Sequence, residues 1–205
     1  TVPLRQMVSG GFDTLSHIME TYFSRPDEEN VADDIAEALM RGVIRDLRAA
    51  VRNPEDYTAR SNLMWEATMA ENRIIKLGKQ ADFQCHQMEH QLAAHTDCNH
   101  GEGLAVLHPV YYRHICDAGT VKFGRFAARV WGIPEAGRSQ KELAHAGVEA
   151  LADFIGELGL PTTLKQLGID EGTDLRAIAD SCSIVSGGYR KLTHGEIYEI
   201  FTQCL

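Results

Sequence analysis

The sequence predicts an all-α protein, a multi-helix bundle, over residues 1–205. Three features predict it. Apolar residues recur at helical spacing along most of the chain, the segments they form end at Gly or Pro, and no apolar/polar alternation with flanking turn residues reads as a strand.

The elements follow in chain order. "SGGFDTLSHIMETYF", residues 9 to 23, is helix-like, and its strong positions are apolar or aromatic apart from Asp13 and His17. Over residues 29 to 52, Val31, Ile35, Leu39, Val43, Leu47 and Val51 recur every four residues, with Met40 and Ile44 beside them and charged residues opposite. Pro54 in "NPED" closes that helix. The next covers Tyr57 to Leu77, with Leu63, Met64, Ala67, Ile74 and Ile75 inward, and ends at Gly78. A helix, a polar break at Thr96 to Asn99 and a second, apolar helix occupy residues 85 to 109, with His108 before Pro109 at a helix end. Leu143, Leu151, Phe154, Ile155 and Leu158 mark another helix, stopping at "GLP". Shorter helices are expected around residues 118 to 131, 172 to 184 and 194 to 203. The breaks at "WGIPEAG" and "VSGGYR" read as loops and no repeat is present, so one domain is expected.

Composition narrows the class. The formal charge of −9 argues against a nucleic-acid partner, which would need a basic face. No apolar run is long enough to span a bilayer, and "TVPLRQMVSG" lacks the features of a signal peptide. Five cysteines, odd in number and without C-x-x-C, point to a reducing compartment; with the acidic balance they suit a cytoplasmic protein.

The chemistry concentrates in "CHQMEHQLAAHTDCNHGEGLAVLHP", residues 85 to 109, which holds five of the nine histidines. On a helix His86 and His90 lie about 40° apart on one face, while His95 points nearly opposite. The turn that follows can bring His100 back toward the His86 face. Asp13 and His17, four residues apart, share a face in the same way. Asp13, His17, His86 and His100 thus form a candidate ligand set whose nitrogen and oxygen donors suit Fe(II) or Zn(II). Other readings stand beside it. An Asp-x-x-x-His pair is commonly a surface or capping feature. Cys85, Cys98, His90 and His95 offer a structural zinc site of no common spacing. His114, His145 and His194 read as hydrogen-bonded bystanders, and Glu20 and Glu102 as solvated or helix-end residues.

"FDTLSHIMETYF", followed some way on by "HQMEHQLAAHTDCNHG", resembles the metal-binding half of the iron-containing (group III) alcohol dehydrogenases. "ELGLPTTLKQLGID" and "KLTHGEIYEIF" are similar to the C-terminal helices of its butanol dehydrogenase and aldehyde reductase branch, so the likeness runs over nearly the whole chain. It implies the C-terminal helical domain of the dehydroquinate synthase-like fold, with Asp13, His17, His86 and His100 holding one divalent ion, Fe2+ ahead of Zn2+. His90 matches a position beside the active site, where it would orient substrate or relay a proton. The implied reaction is reversible hydride transfer between a small alcohol or aldehyde and NAD(P)(H).

Members of that family carry a nucleotide-binding domain that accounts for most of the NAD(P) contacts, and no G-x-G-x-x-G occurs here. The expectation is therefore the C-terminal half of a two-domain enzyme, inactive alone, with an apolar face left open to homodimerisation. The competing class is a non-catalytic helical metal-binding domain. A metallohydrolase fits less well, for want of a His-Asp dipeptide or H-E-x-x-H.

Overall fold

The computed structural model describes residues 2–205. Among them lie nine α-helices and no strand beyond one isolated bridge, Arg25 to Gln80. None of these helices is long and apolar enough to cross a membrane.

The first helix, α1 (Leu4–Tyr22), is the axis of the bundle. Phe12, Leu15, Ile18, Met19 and Tyr22 are all fully buried along it. A helix apolar around so much of its circumference needs cover on several sides. It packs against α2 (Val31–Arg52), α3 (Tyr57–Glu71) and α5 (His100–Ile115).

At the start of α2 the Asn30 side chain accepts the Asp33 N–H at 2.9 Å, with Asp33 and Asp34 in the favoured first turn. Of the predicted stripe only the middle reaches the core. Met40, Val43 and Leu47 are buried, whereas Val31 is 70% exposed and Ile35, Leu39 and Val51 sit at the edge. Each four-residue step rotates about 40°, so five steps swing the stripe about 200° around the helix.

Three further expectations are corrected. α3 ends at Glu71, not Leu77: the Asn72 side chain takes the Ile74 N–H at 3.0 Å, Arg73 turns left-handed (φ 70°), and only a short 3₁₀ turn, Ile74–Lys76, follows. Met64, expected inward, is 76% exposed beside Tyr57 and Trp65, and it borders an open apolar groove of about 620 Å³ between α1 and α3. His108 and Pro109 lie inside α5, fully or nearly buried, rather than at its end. The bias against a helical residue before proline is outweighed by burial of Leu104, Ala105, Leu107 and Tyr111 on the same helix.

α4 (Gln84–Thr96) and α5 form a hairpin with three linking residues. Asp97 ends α4 in the left-handed region (φ 57°), and Asn99 opens α5 by accepting the Glu102 N–H at 3.1 Å. Ser9 of α1 donates to the same Asn99 oxygen at 2.5 Å, tying the hairpin to the axis. The backbones of α1 and α5 meet so closely that a Cβ at Gly101 would stand 2.2 Å from the Ser9 carbonyl oxygen.

Beyond this lie α6 (Thr120–Arg129), α7 (Gln140–Glu157), α8 (Leu175–Ser181) and α9 (His194–Gln203), all where helices are expected though shorter at several ends. Capping boxes open α7 (Ser139 with Glu142) and α9 (Thr193 with Glu196). α6 and α7 pack on each other, and α6 closes an aromatic cluster at the C-terminal end of α1. There Phe23 stacks on Phe123 (centroids 4.0 Å apart, 13° between planes) and meets Tyr112 and Phe126 edge-on.

Phe23→Ala removes the ring at the centre of that cluster, and a loss of about 3–5 kcal/mol is expected. Chemical denaturation of the two proteins should show it as a lowered midpoint with little change in slope.

Candidate metal centre

The helices bring the four candidate residues to one place. Asp13 and His17 come from one stripe of α1, His86 from the first turn of α4, and His100 is the first residue of α5. Asp13 Oδ1 lies 3.4 Å from the Nε2 atom of each of His17, His86 and His100. The Nε2 atoms of His17 and His86 are 3.1 Å apart. Asp13, His17 and His86 form the tight group, and His100 joins it through Asp13.

The outer nitrogen of each ring meets a carboxylate. His86 Nδ1 makes a short contact with Glu20, and His100 Nδ1 makes one with Glu89. His17 Nδ1 lies 2.6 Å from Glu71 Oε1, near enough for an ion pair though poorly aligned for a hydrogen bond. Glu20 and Glu89 are buried, and Glu20 Oε1 also accepts the Cys85 N–H at 2.7 Å. Glu20 is therefore not the solvated residue that its type predicts.

Electrostatics follow from this crowding. Burial would raise the Asp13 pKa, but the His100 and His86 rings more than reverse that and hold it well below the carboxylate range. Burial lowers His86, yet Asp13 and Glu20 outweigh it and lift the ring to about 9. Asp13 and Glu89 raise His100 to about 10 against its partial burial. His17 is pushed down by burial and by His86.

A cation suits this donor set. Asp13 Oδ1 is buried and accepts no hydrogen bond. Oxygen and nitrogen donors around an ion with bonds of about 2.1 Å stand roughly 3.0 Å apart when octahedral and roughly 3.4 Å apart when tetrahedral. The observed 3.1 and 3.4 Å separations fall in that interval. The residues fit a divalent metal.

His90 stands one turn further along α4, exposed, its ring stacked on His100 at 5.4 Å and edge-on to His86 at 5.8 Å. It is beside the cluster and outside the convergence of Nε2 atoms. The alternative zinc set does not assemble among the described residues: Cys85 is in the core, and His95 is exposed on the far side of α4. A separate group, Cys116, Asp117 and His145, is already neutralised by Lys141 on Asp117 at 2.7 Å. His108 Nε2 meets Ser16 at 2.6 Å while its Nδ1 is buried without a partner, His194 meets the Cys182 carbonyl at 3.0 Å, and Glu102 meets Arg5 at 2.5 Å.

The sequence profile described as "Fe-containing alcohol dehydrogenase family, C-terminal" matches residues 7–205. The chain belongs to the iron-containing alcohol dehydrogenase family. Within that family it is 37% identical to NADH-dependent butanol dehydrogenase B of Clostridium acetobutylicum, over 98% of this chain and 53% of the relative. It is 34% identical to the NADPH-dependent aldehyde reductase YqhD of Escherichia coli, over 87% of this chain and 45% of that one. The crystal structure of NADH-dependent butanol dehydrogenase A from Thermotoga maritima superposes on all of this chain and 53% of its own, with a TM-score of 0.90 at 31% identity. The chain thus spans about half the length of the curated relatives it matches.

Glu89 and Glu71 go unmarked in the sequence, and Glu20 reads there as a solvated or helix-end residue. Glu20 was in principle legible, since it continues the Asp13 and His17 stripe one turn on and interrupts an apolar run.

His86 and His100 carry folded-state values above the ordinary 6.5. A raised histidine stabilises fully below its unfolded pKa and ceases to as pH climbs through the folded one. Thermal melts of metal-free protein should therefore fall steadily from about pH 7 to 10, and the fall should shrink in His100→Ala.

Proposed function

We propose that Asp13, His17, His86 and His100 hold one divalent metal, iron(II) or zinc, in an NAD(P)-dependent alcohol dehydrogenase or aldehyde reductase. The observation that carries this reading is the approach of three imidazole Nε2 atoms to a single unpartnered carboxylate oxygen. Family membership and the printed activities of the relatives support the reaction class.

When bound, such an ion supplies Lewis acidity, polarising an alcohol or carbonyl oxygen for hydride transfer. The chain's own residues do the rest. Asp13 contributes the negative charge of the donor set, and the three histidines contribute neutral nitrogen. Burial of His86 and its neighbours excludes water from one side, while the half-exposed His100 leaves the other side open to a small substrate.

His90, the residue proposed as catalytic, would relay a proton between the substrate oxygen and water at a ring nitrogen. Partial desolvation where its ring lies against the cluster, together with the neighbouring His100 and His86, keeps its pKa below the ordinary imidazole value, so it is neutral and able to accept near pH 7. The 205 residues are read as one helical metal-binding unit that works with a nucleotide-binding domain, since no glycine-rich dinucleotide loop occurs in them.

Elemental analysis of the purified chain tests the site. Fe or Zn near one equivalent is expected, dropping at least about tenfold in His86→Ala and His100→Ala. Unchanged metal in both variants refutes the ligand assignment. Because the imidazoles must shed protons to ligate, affinity should also fall as pH drops below about 9, with proton release visible by calorimetry in buffers of different ionisation heat.

The activity has its own test. The chain alone should not reduce butanal with NADH or NADPH. Joined to a nucleotide-binding domain of this family it should, with His90→Ala lowering turnover about 10²–10⁴-fold.

A further inference from the structure

We propose that Glu20 and Glu89 are positioning residues of the metal centre: each fixes one imidazole, through Nδ1, in the tautomer and orientation that aims Nε2 at Asp13. This rests on the reading of Asp13, His17, His86 and His100 as ligands.

A neutral imidazole carries one N–H, and it ligates only through the other nitrogen. On a free side chain either nitrogen can hold the proton, and the ring can turn about two bonds. A carboxylate against Nδ1 removes both freedoms, because it accepts the N–H there and leaves the Nε2 lone pair outward. His86 and His100 each have such a carboxylate, on the side of the ring away from Asp13.

The two glutamates are held as parts of a site are held. Glu20 is 1% exposed and engages both oxygens, one on His86 and the other on the Cys85 N–H at 2.7 Å, so the group that orients the ring is itself anchored by the first turn of α4. Glu89 is fully buried, with Oε2 on His100 and Oε1 packed against α5 where residue 103 is glycine. A Cβ at Gly103 would stand 2.8 Å from that oxygen, so the glycine makes room for the carboxylate.

Neither glutamate has a lysine or arginine partner among the described residues; the one ion pair each makes there is with its histidine. Two buried carboxylates without a fixed cation are costly where Leu or Met would pack better. The cost is intelligible if the imidazoles they steer face a metal. Glu71 provides the contrast. It approaches His17 in the same way but is 51% exposed and shared with Lys76 at 3.2 Å, so its hold on the ring is looser.

The test is titration of metal-free chain with Co2+, whose visible absorption reports the ligand field. In Glu20→Gln and Glu89→Gln the size is kept, the charge is lost, and an amide N–H can face Nδ1. Co2+ affinity should fall about 10–100-fold with a shifted absorption band, while far-UV circular dichroism stays unchanged. Gly103→Ala, which leaves Glu89 in the sequence but fills the space of its carboxylate, should reproduce Glu89→Gln. Glu71→Gln should have the smallest effect. If Glu20→Gln does not fold, Glu89→Gln and Gly103→Ala decide the matter.

Unchanged affinity and spectrum in the folded glutamate variants, with His86→Ala still losing Co2+, would overturn the positioning role and leave the ligand assignment standing. Failure of the unaltered chain to take up Co2+ would overturn both.

Discussion

Three imidazole nitrogens directed at one carboxylate oxygen constrain everything around them. Asp13 Oδ1 is buried without a well-formed hydrogen bond, and its charge is kept in the interior by the imidazoles 3.4 Å away, which outweigh the cost of burial. Packing elsewhere has to hold α1, α4 and α5 in the register that brings those groups together, and the ways in which it does so account for much of the architecture. α1 is apolar on several faces, so it cannot leave the interior. The α4–α5 hairpin is tied to it by Ser9 and Asn99 and by the close backbone approach at Gly101.

The same demand explains the distribution of charge. Acidic groups approach the centre from three helices: Asp13 and Glu20 on α1, Glu71 on α3 and Glu89 on α4. Where these groups are buried such a collection repels itself, and it is tolerable because each member faces an imidazole that a proton or a cation can make positive. The aromatic cluster around Phe23 is the neutral counterpart, anchoring the far end of α1 by contact area alone.

Much of this was legible in the amino-acid order because helical spacing places i and i+4 side chains together. Asp13 with His17, and His86 with His90, follow from that rule, as do most helices and their Gly or Pro stops. What escaped has physical causes. The four-residue stripe of α2 overstates its buried face, since rotation accumulates along it. α3 breaks at Asn72 through a local side-chain hydrogen bond that periodicity does not register. Glu20 and Glu89 look like surface residues by type, and only their long-range partners, 66 and 11 positions away, make them interior ones. His108 before Pro109 illustrates a local bias overruled by burial.

The three-residue link between α4 and α5 has a consequence for how the centre comes into being. His86 and His100 are carried by contiguous chain, and that hairpin can form with little loop-closure entropy. The other half must arrive from much further away, because His17 and His86 are 69 residues apart. Assembly is thus divided between a local step and a distant one, and the cluster is complete only when α1 has docked. An ion bound by all four residues would act as a clasp across that long loop, its grip felt at the N-terminal helix rather than within the histidine-rich segment itself.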